Sequence, residues 1–277
     1  LGTPIVLNLR DTKGAHEADN SASYRRRFRL IDALLVLSEE MAHFYRQMAA
    51  RARFQIDRIR WKSIYSIVDF NRMKRLEPMD RSRLRVSLGM PAERLALGVV
   101  AAFNNKKNQL EFIEKACDLI CRRLPQAHIY FVGDFRPDSD PYARQCQQAI
   151  DSLAVRAQIT TTGFCPQVEK WYQSLDLIII PTRKEGLARC MIEGLACGTP
   201  IVSFDVCSAK EILTRHDCGV VVSQGNYADL VDATVRLAEN PGEWKRLGDN
   251  GFAIARRLFH REEVIRQYKL LYRELQE

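Results

Sequence analysis

EGLARCMIEGLACGTPIV, residues 185–202, comes two residues after the apolar run LDLIIIPT at 175–182. A short unbroken apolar run ended by Pro reads as a strand buried on both faces. Glu185 and Glu193 stand eight positions apart, with Gly186 and the start of a helix between them. Gly198-Thr199-Pro200 then breaks the helix and a new apolar strand begins. Strand, short loop and helix N-terminus make an anion site, because backbone N–H groups point outward there and the helix dipole favours negative charge. A carboxylate in such a loop repels phosphate but accepts hydrogen bonds from sugar hydroxyls. The pattern therefore fits a ligand with both phosphate and polyol parts, a nucleotide sugar. Glu193 lies among Met191, Ile192, Leu195 and Ala196, so its helix reads as largely buried, and a buried Glu needs a partner or a ligand.

Outward from this stretch, apolar runs and helical patterns alternate. Strands are expected at LALGVVAAF (95–103), HIYFVGD (128–134), AQITTTG (157–163), PIVSFD (200–205) and GVVV (219–222). Helices are expected at 108–124, 141–154, 166–175, 226–239, 241–258 and 261–276, with SAKEIL (208–213) a further helical turn. Such alternation indicates an α/β fold with a doubly wound parallel sheet. Before residue 95, strands are expected at PIVLN (4–8), IDALLVLS (31–38) and within RIRWKSIYSIVD (58–69), with a helix after the second. GAHEADNSAS (14–23) reads as a polar loop, 23–30 as a basic helical stretch and 71–94 as a charged, helix-like linker. The last helix carries Val264, Tyr268, Leu270 and Leu271 and needs a surface to cover.

PTRKEGLARCMIEGLACGTPIV (181–202) resembles the E-x7-E signature of retaining glycosyltransferases of the GT-B fold, glycosyltransferase family 4. The flanks carry the resemblance more than the two acids do. It implies that Glu185 contacts the donor sugar, that Glu193 holds the nucleotide ribose, and that N–H groups of Gly186, Leu187, Ala188 and Arg189 face the donor. AAFNNKKNQLEFIEKA (101–116) is similar to the family's lysine loop, with Lys107 in the place of the Lys that neutralises the leaving diphosphate. The family has an Arg five positions earlier, where this chain has Ala102. Lys106 and Arg189 are the candidates to replace it. The loop Gly163-Phe164-Cys165-Pro166 falls where the family holds the nucleobase, which implies backbone contacts from Cys165 and Val168. Glu211 matches a family acid that follows a Gly-Gly pair, but here Cys207-Ser208 stands in that place; helix N-terminal electrostatics explain it equally well. Asp138-Ser139-Asp140 looks like a metal-binding D-x-D, yet it lies in a Pro-flanked loop where Asp and Ser are ordinary turn residues. The resemblance implies no metal and no cofactor, with a UDP-sugar as the favoured donor. It also implies a GT-B domain plan: a partial acceptor-side α/β domain and linker at 1–94, the nucleotide-sugar domain at 95–260, and a helix at 261–277 packing back on the first.

The net charge of +8 is unevenly placed. Residues 1–94 hold 19 Lys and Arg against 11 Asp and Glu, and the remainder holds 23 of each. The basic residues include Arg25, Arg26, Arg27, Arg29, Arg51, Arg53, Arg58, Arg60 and Lys62. Such a field suits an acidic acceptor or an anionic membrane surface. The expected partners are a nucleotide-sugar donor and a glycan or lipid-linked acceptor, with peripheral membrane contact through the basic third and no nucleic acid. Eight Cys lie between Cys117 and Cys218 without zinc-like spacing, and read as free buried thiols of a reducing compartment. The expected location is the cytoplasm, at the inner membrane face. No apolar run reaches the roughly 18 residues of a bilayer span. The chain opens on Leu1, and residues 1–94 supply about half of an ordinary domain. The expectation is a glycosyltransferase of the hexosyl-transferring kind that lacks its N-terminal start. The competing readings are a GT-B nucleotide-sugar epimerase and a non-catalytic nucleotide-binding fragment.

Overall fold

The computed structural model describes residues 4–10, 28–51 and 57–276. The polar loop 14–23, most of the basic stretch 23–30, and Arg53 fall outside the described residues. The first sheet is parallel, with β1 (Val6–Leu9), β2 (Ala33–Val36) and β3 (Arg60–Ser63) in that order. Helix α1 (Glu39–Arg51) connects the last two. After α2 (Pro78–Ser87) comes a six-stranded parallel sheet of β4 (Leu95–Val100), β5 (Ala127–Val132), β6 (Ile159–Thr161), β7 (Leu177–Ile180), β8 (Ile201–Phe204) and β9 (Val220–Val222). Its order is β6-β5-β4-β7-β8-β9.

That order decides where chemistry can sit. The chain winds outward from β4 to β6, returns to the middle, and winds outward again from β7 to β9. β4 and β7 are neighbours, with Leu97 opposite Leu177 and Gly98 opposite Ile178. A crevice opens at the carboxyl ends of two strands whose connections leave in opposite directions. The loops after β4 and β7 are the lysine loop and the Glu185 loop.

Period-2 alternation buries both faces of this sheet. Ala96, Val100, Ile178 and Ile180 face one core; Leu97, Val99, Leu177 and Ile179 face the other. The helices that cover them are α3 (residues 109–123), α4 (Pro141–Ser152), α5 (Val168–Ser174), α6 (Arg189–Ala196), α7 (Tyr227–Ala238) and α8 (Pro241–Phe259). Two expected helical stretches differ in kind. A π turn at Ile113–Cys117 interrupts α3, and SAKEIL forms a π turn at Lys210–Thr214.

Residues 71–94 do more than link. Arg81 and Arg85 of α2 both reach Asp176, which also accepts from Ala96 N at 2.7 Å. Arg85 donates further to the Ser174 carbonyl at 2.9 Å. These bonds fasten α2 to the amino ends of β4 and β7, opposite the crevice. The last helix, α9 (Arg261–Gln276), leaves the large sheet and covers the small one. Val264 and Leu271 pack with Ala33, Leu35 and Ile64, and Tyr268 lies against them. Leu270, expected on the same face, is exposed, because it falls one position off the stripe that Val264, Tyr268 and Leu271 make. Among the described residues, no helix is long and apolar enough to cross a membrane.

Gly248 shows how closely α8 crosses the end of α6. A Cβ built there would lie 2.5 Å from the Gly198 carbonyl oxygen. Ala is the better helix former by about 1 kcal/mol, but backbone cannot step aside as a flexible side chain can. Gly248→Ala is therefore expected to destabilise the fold by about 1–3 kcal/mol. A denaturation curve showing higher stability for the variant would refute the contact.

Candidate functional site

The lysine loop is built by its own amides. Asn104 Oδ1 accepts from Lys106 N and Lys107 N at 3.1 and 3.2 Å. Gln109 Nε2 returns to the Ala102 carbonyl at 3.0 Å. Asn108 takes a left-handed backbone, φ 62°, and its amide donates to the Pro181 carbonyl at 3.2 Å and the Tyr227 hydroxyl at 2.7 Å. Arg183 N donates to the Lys106 carbonyl at 2.9 Å. The loops after β4 and β7 are thereby stitched together, and Lys107 Nζ forms an ion pair with Glu185. Both side chains are mostly buried, so the pair is screened less than a surface pair.

Glu185 and Gly186 precede α6. Leu187 and Ala188 are buried, and Ala188 caps the helix without a side-chain acceptor. The first N–H groups of α6 thus remain for something else to satisfy. One turn along, Glu193 is 9% exposed. From the open side Arg189 donates to Glu193 Oε1 through both Nε at 3.1 Å and a terminal nitrogen at 2.7 Å. On its buried side Glu193 has Tyr172 as a neighbour; burial first, then the nearby Cys190 and Glu193, raises the Tyr172 hydroxyl's pKa well above the ordinary tyrosine value.

Between these groups lies a cavity of about 450 Å³. Lys107, Cys165, Val168, Arg189 and Glu193 line it. Glu185, Gly186, Leu187, Ala188 and Lys106 stand outside its lining, and Lys106 is exposed. Ala102 is in the wall, so its position faces the site but contributes no charge. Sequence reasoning missed Gly133, Arg136, Tyr172 and Cys190, and passed over Phe164 in favour of its neighbours; all five line the cavity. For Gly133 a signal existed, since it ends β5 beside the switch point. There φ is 151° and an added Cβ would meet the Ala101 carbonyl at 2.3 Å, so only Gly lets these two backbones run so close. Burial pushes the Cys190 thiol up to about 12, which leaves it a neutral wall residue.

Two acids are placed by the structure in structural work. Asp140 of the D-x-D-like triplet caps α4, accepting from Tyr142 N at 2.9 Å. For Glu211 the sequence left a family ligand role and the electrostatics of its own helix start equally open. Glu211 instead caps α1 beneath the other sheet, accepting from Glu39 N at 3.1 Å and Glu40 N at 2.9 Å, and it takes the Tyr65 hydroxyl as well. Glu40 reciprocates by accepting from Ser208 N at 2.7 Å. Ser208 adopts φ 70°, the left-handed region that ordinarily favours Gly. Burial raises the Glu40 carboxyl above its ordinary pKa, and the Ser208 hydrogen bond only partly offsets this.

The glycosyl transferases group 1 family matches residues 80–253. The chain is similar to the lipopolysaccharide core biosynthesis mannosyltransferase LpsB of Rhizobium meliloti, 22% identical over 201 residues, covering 72% of this chain and 57% of that protein. It is 29% identical over 175 residues to the D-inositol 3-phosphate glycosyltransferase of Mycobacterium leprae, covering 59% of this chain and 38% of that protein. The chain spans about half the length of the curated relatives it matches. Among solved structures, Anabaena HepE in complex with UDP superposes with a TM-score of 0.82 at 22% identity, over 99% of this chain and 72% of that one. Sucrose-phosphate synthase from Thermosynechococcus elongatus does so at 0.80 and 18%, over 99% and 68%.

Proposed function

This chain belongs to the glycosyl transferases group 1 family and has the GT-B fold, and on that premise we propose that it moves a hexosyl unit from a nucleoside-diphosphate sugar to a glycan or lipid-linked acceptor with retention of configuration, as family 4 members do. The observation that supports this most is the meeting of Lys107 and Glu185, 78 residues apart in sequence, over the carboxyl ends of β4 and β7. In the proposed reaction the bond between the anomeric carbon and the phosphate oxygen breaks, and its electron pair leaves with the diphosphate. Negative charge grows on that oxygen while the sugar becomes oxocarbenium-like. Lys107 and the uncapped N–H groups of α6 meet the growing charge. Glu185 accepts from sugar hydroxyls and fixes the ring, and Glu193 accepts from the ribose diol. The acceptor oxygen bonds the anomeric carbon from the side the diphosphate leaves, and its proton passes to a phosphate oxygen. Cys165, Val168 and Phe164 form the end of the cavity assigned to the base. Uracil is the favoured base, since HepE was solved with UDP. The excess positive charge of the first third is assigned to the acceptor side, facing an anionic glycan or lipid surface.

The test is incubation of the protein with a panel of nucleoside-diphosphate sugars, with and without membrane-extracted acceptors, reading nucleoside diphosphate release beside calorimetric binding. Acceptor-dependent release from one donor is expected. Binding without release from any donor would leave a nucleotide-binding protein, a reading that Ala102 favours because one of the family's two cations is missing. Interconversion of the donor without acceptor would make the chain an epimerase.

A further inference from the structure

The cations around the cavity are already engaged. Lys107 pairs with Glu185, Arg136 with Asp134 at 2.7 Å, and Arg189 with Glu193. The Arg189 pair differs from the others in two respects. Its guanidinium is the first residue of α6, one turn from Glu193, and its side chain is 56% exposed while that of Glu193 is 11% exposed. The arm therefore lies over a buried acid from the solvent side and can swing away without opening the core. Moreover, both donors of the guanidinium converge on a single oxygen of Glu193. A planar fork is matched by two oxygens, as in a phosphate, better than by one. Ala102, across the same cavity, supplies no second charge for a diphosphate.

We propose that Arg189 is the second cation for the donor's diphosphate, and that by leaving Glu193 for the phosphate it releases that carboxylate to the ribose diol. This rests on the nucleotide-sugar reading above. Donor phosphate and donor ribose are then recognised together: the phosphate draws away the one group that competes for the acid. Glu193 stays in place during the exchange because its side chain is buried in the cavity wall, beside Tyr172. A nucleoside without phosphate offers Arg189 no alternative anion and must compete with it for Glu193.

The exchange predicts opposite responses to one substitution. In Arg189→Gln, the dissociation constant for the nucleoside diphosphate is expected to rise about tenfold or more, as a charge-assisted bond is lost. That for the matched nucleoside is expected to fall about threefold or more, because its competitor for the acid is gone. Arg189→Lys keeps the charge without the fork and should move both constants in the same two directions by less, so it carries the test if the Gln variant folds poorly. Calorimetric titrations would use the common nucleoside diphosphates with their nucleosides, read on the pair the unsubstituted protein binds best. Both constants rising together, or neither changing, would overturn the exchange while leaving the nucleotide-sugar reading intact. If the unsubstituted protein binds no nucleoside diphosphate, the reading of the site falls and the exchange with it.

Discussion

Lys107→Ala is expected to lower kcat by about a hundredfold while donor KM moves by less than about threefold. The reason is where the charge develops. In the bound donor the diphosphate is already anionic and solvated in part by the α6 amides, so one ammonium adds modestly to ground-state binding. In the transition state the bridging oxygen gains a further negative charge inside a partly enclosed cavity, where a fixed cation acts through a lower dielectric than water. The Lys107 ammonium is pre-placed there by Asn104, Asn108 and Gln109 and needs no reorganisation. In the proposed reaction its pairing with Glu185 would couple the two ends of the donor, since the acid assigned to the sugar also orients the cation assigned to the leaving group. Initial rates of diphosphate release across donor concentrations would check this. A raised KM at unchanged kcat would mean that Lys107 only binds the donor, and the leaving-group role would have to be abandoned.

The second large effect is on stability. Asp176→Ala is expected to remove about 3–5 kcal/mol, because a buried carboxylate between two guanidinium groups is lost and the cations remain. Arg85 is 7% exposed and Asp176 9%; removing the acid strands Arg85 against the Ser174 carbonyl and orphans Ala96 N. For a chain of this size that corresponds to a fall in Tm of roughly 10 °C. Asp232→Asn, which breaks the surface pair between Arg123 and Asp232, exposed 47% and 66%, should change stability by less than about 0.5 kcal/mol. Thermal melts of the two variants side by side give the contrast. Equal shifts would contradict the picture of α2 as a helix clamped by buried charge.

The strands were legible because a strand buried on both faces must be apolar throughout, so LALGVV and LIII announce themselves between Gly, Pro and charged flanks. Their order was not. Nothing in LALGVV says that it will lie beside LIII; that follows from hydrogen bonding between segments some eighty positions apart, and it is this adjacency that makes the site. The motif residues were legible through their flanks and the family resemblance. What holds them was not. Tyr172 sits in a helix whose pattern reads as ordinary packing, and its place in the cavity wall beside Glu193 exists only once α5 and α6 are laid together. Arg189 and Glu193, four apart on a helix, could have been paired from spacing alone, but the acid's burial hid that reading behind a ligand role. For Glu211 the sequence offered a ligand role or a local helix start, because helix starts usually are capped locally. Its true targets, Glu39 and Glu40, lie more than 170 positions away.

The reach of Glu211 into α1 bears on how the two sheets of this chain could be recombined. A helix whose opening amides are answered by an acid more than 170 positions away is fitted to that particular neighbour. Recombining the six-stranded-sheet half with a foreign three-stranded-sheet half would have to carry Glu211, Tyr65 and the Glu40–Ser208 contact across as one unit. Shuffling that cuts between them would leave the opening amides of α1 unanswered and fray that seam.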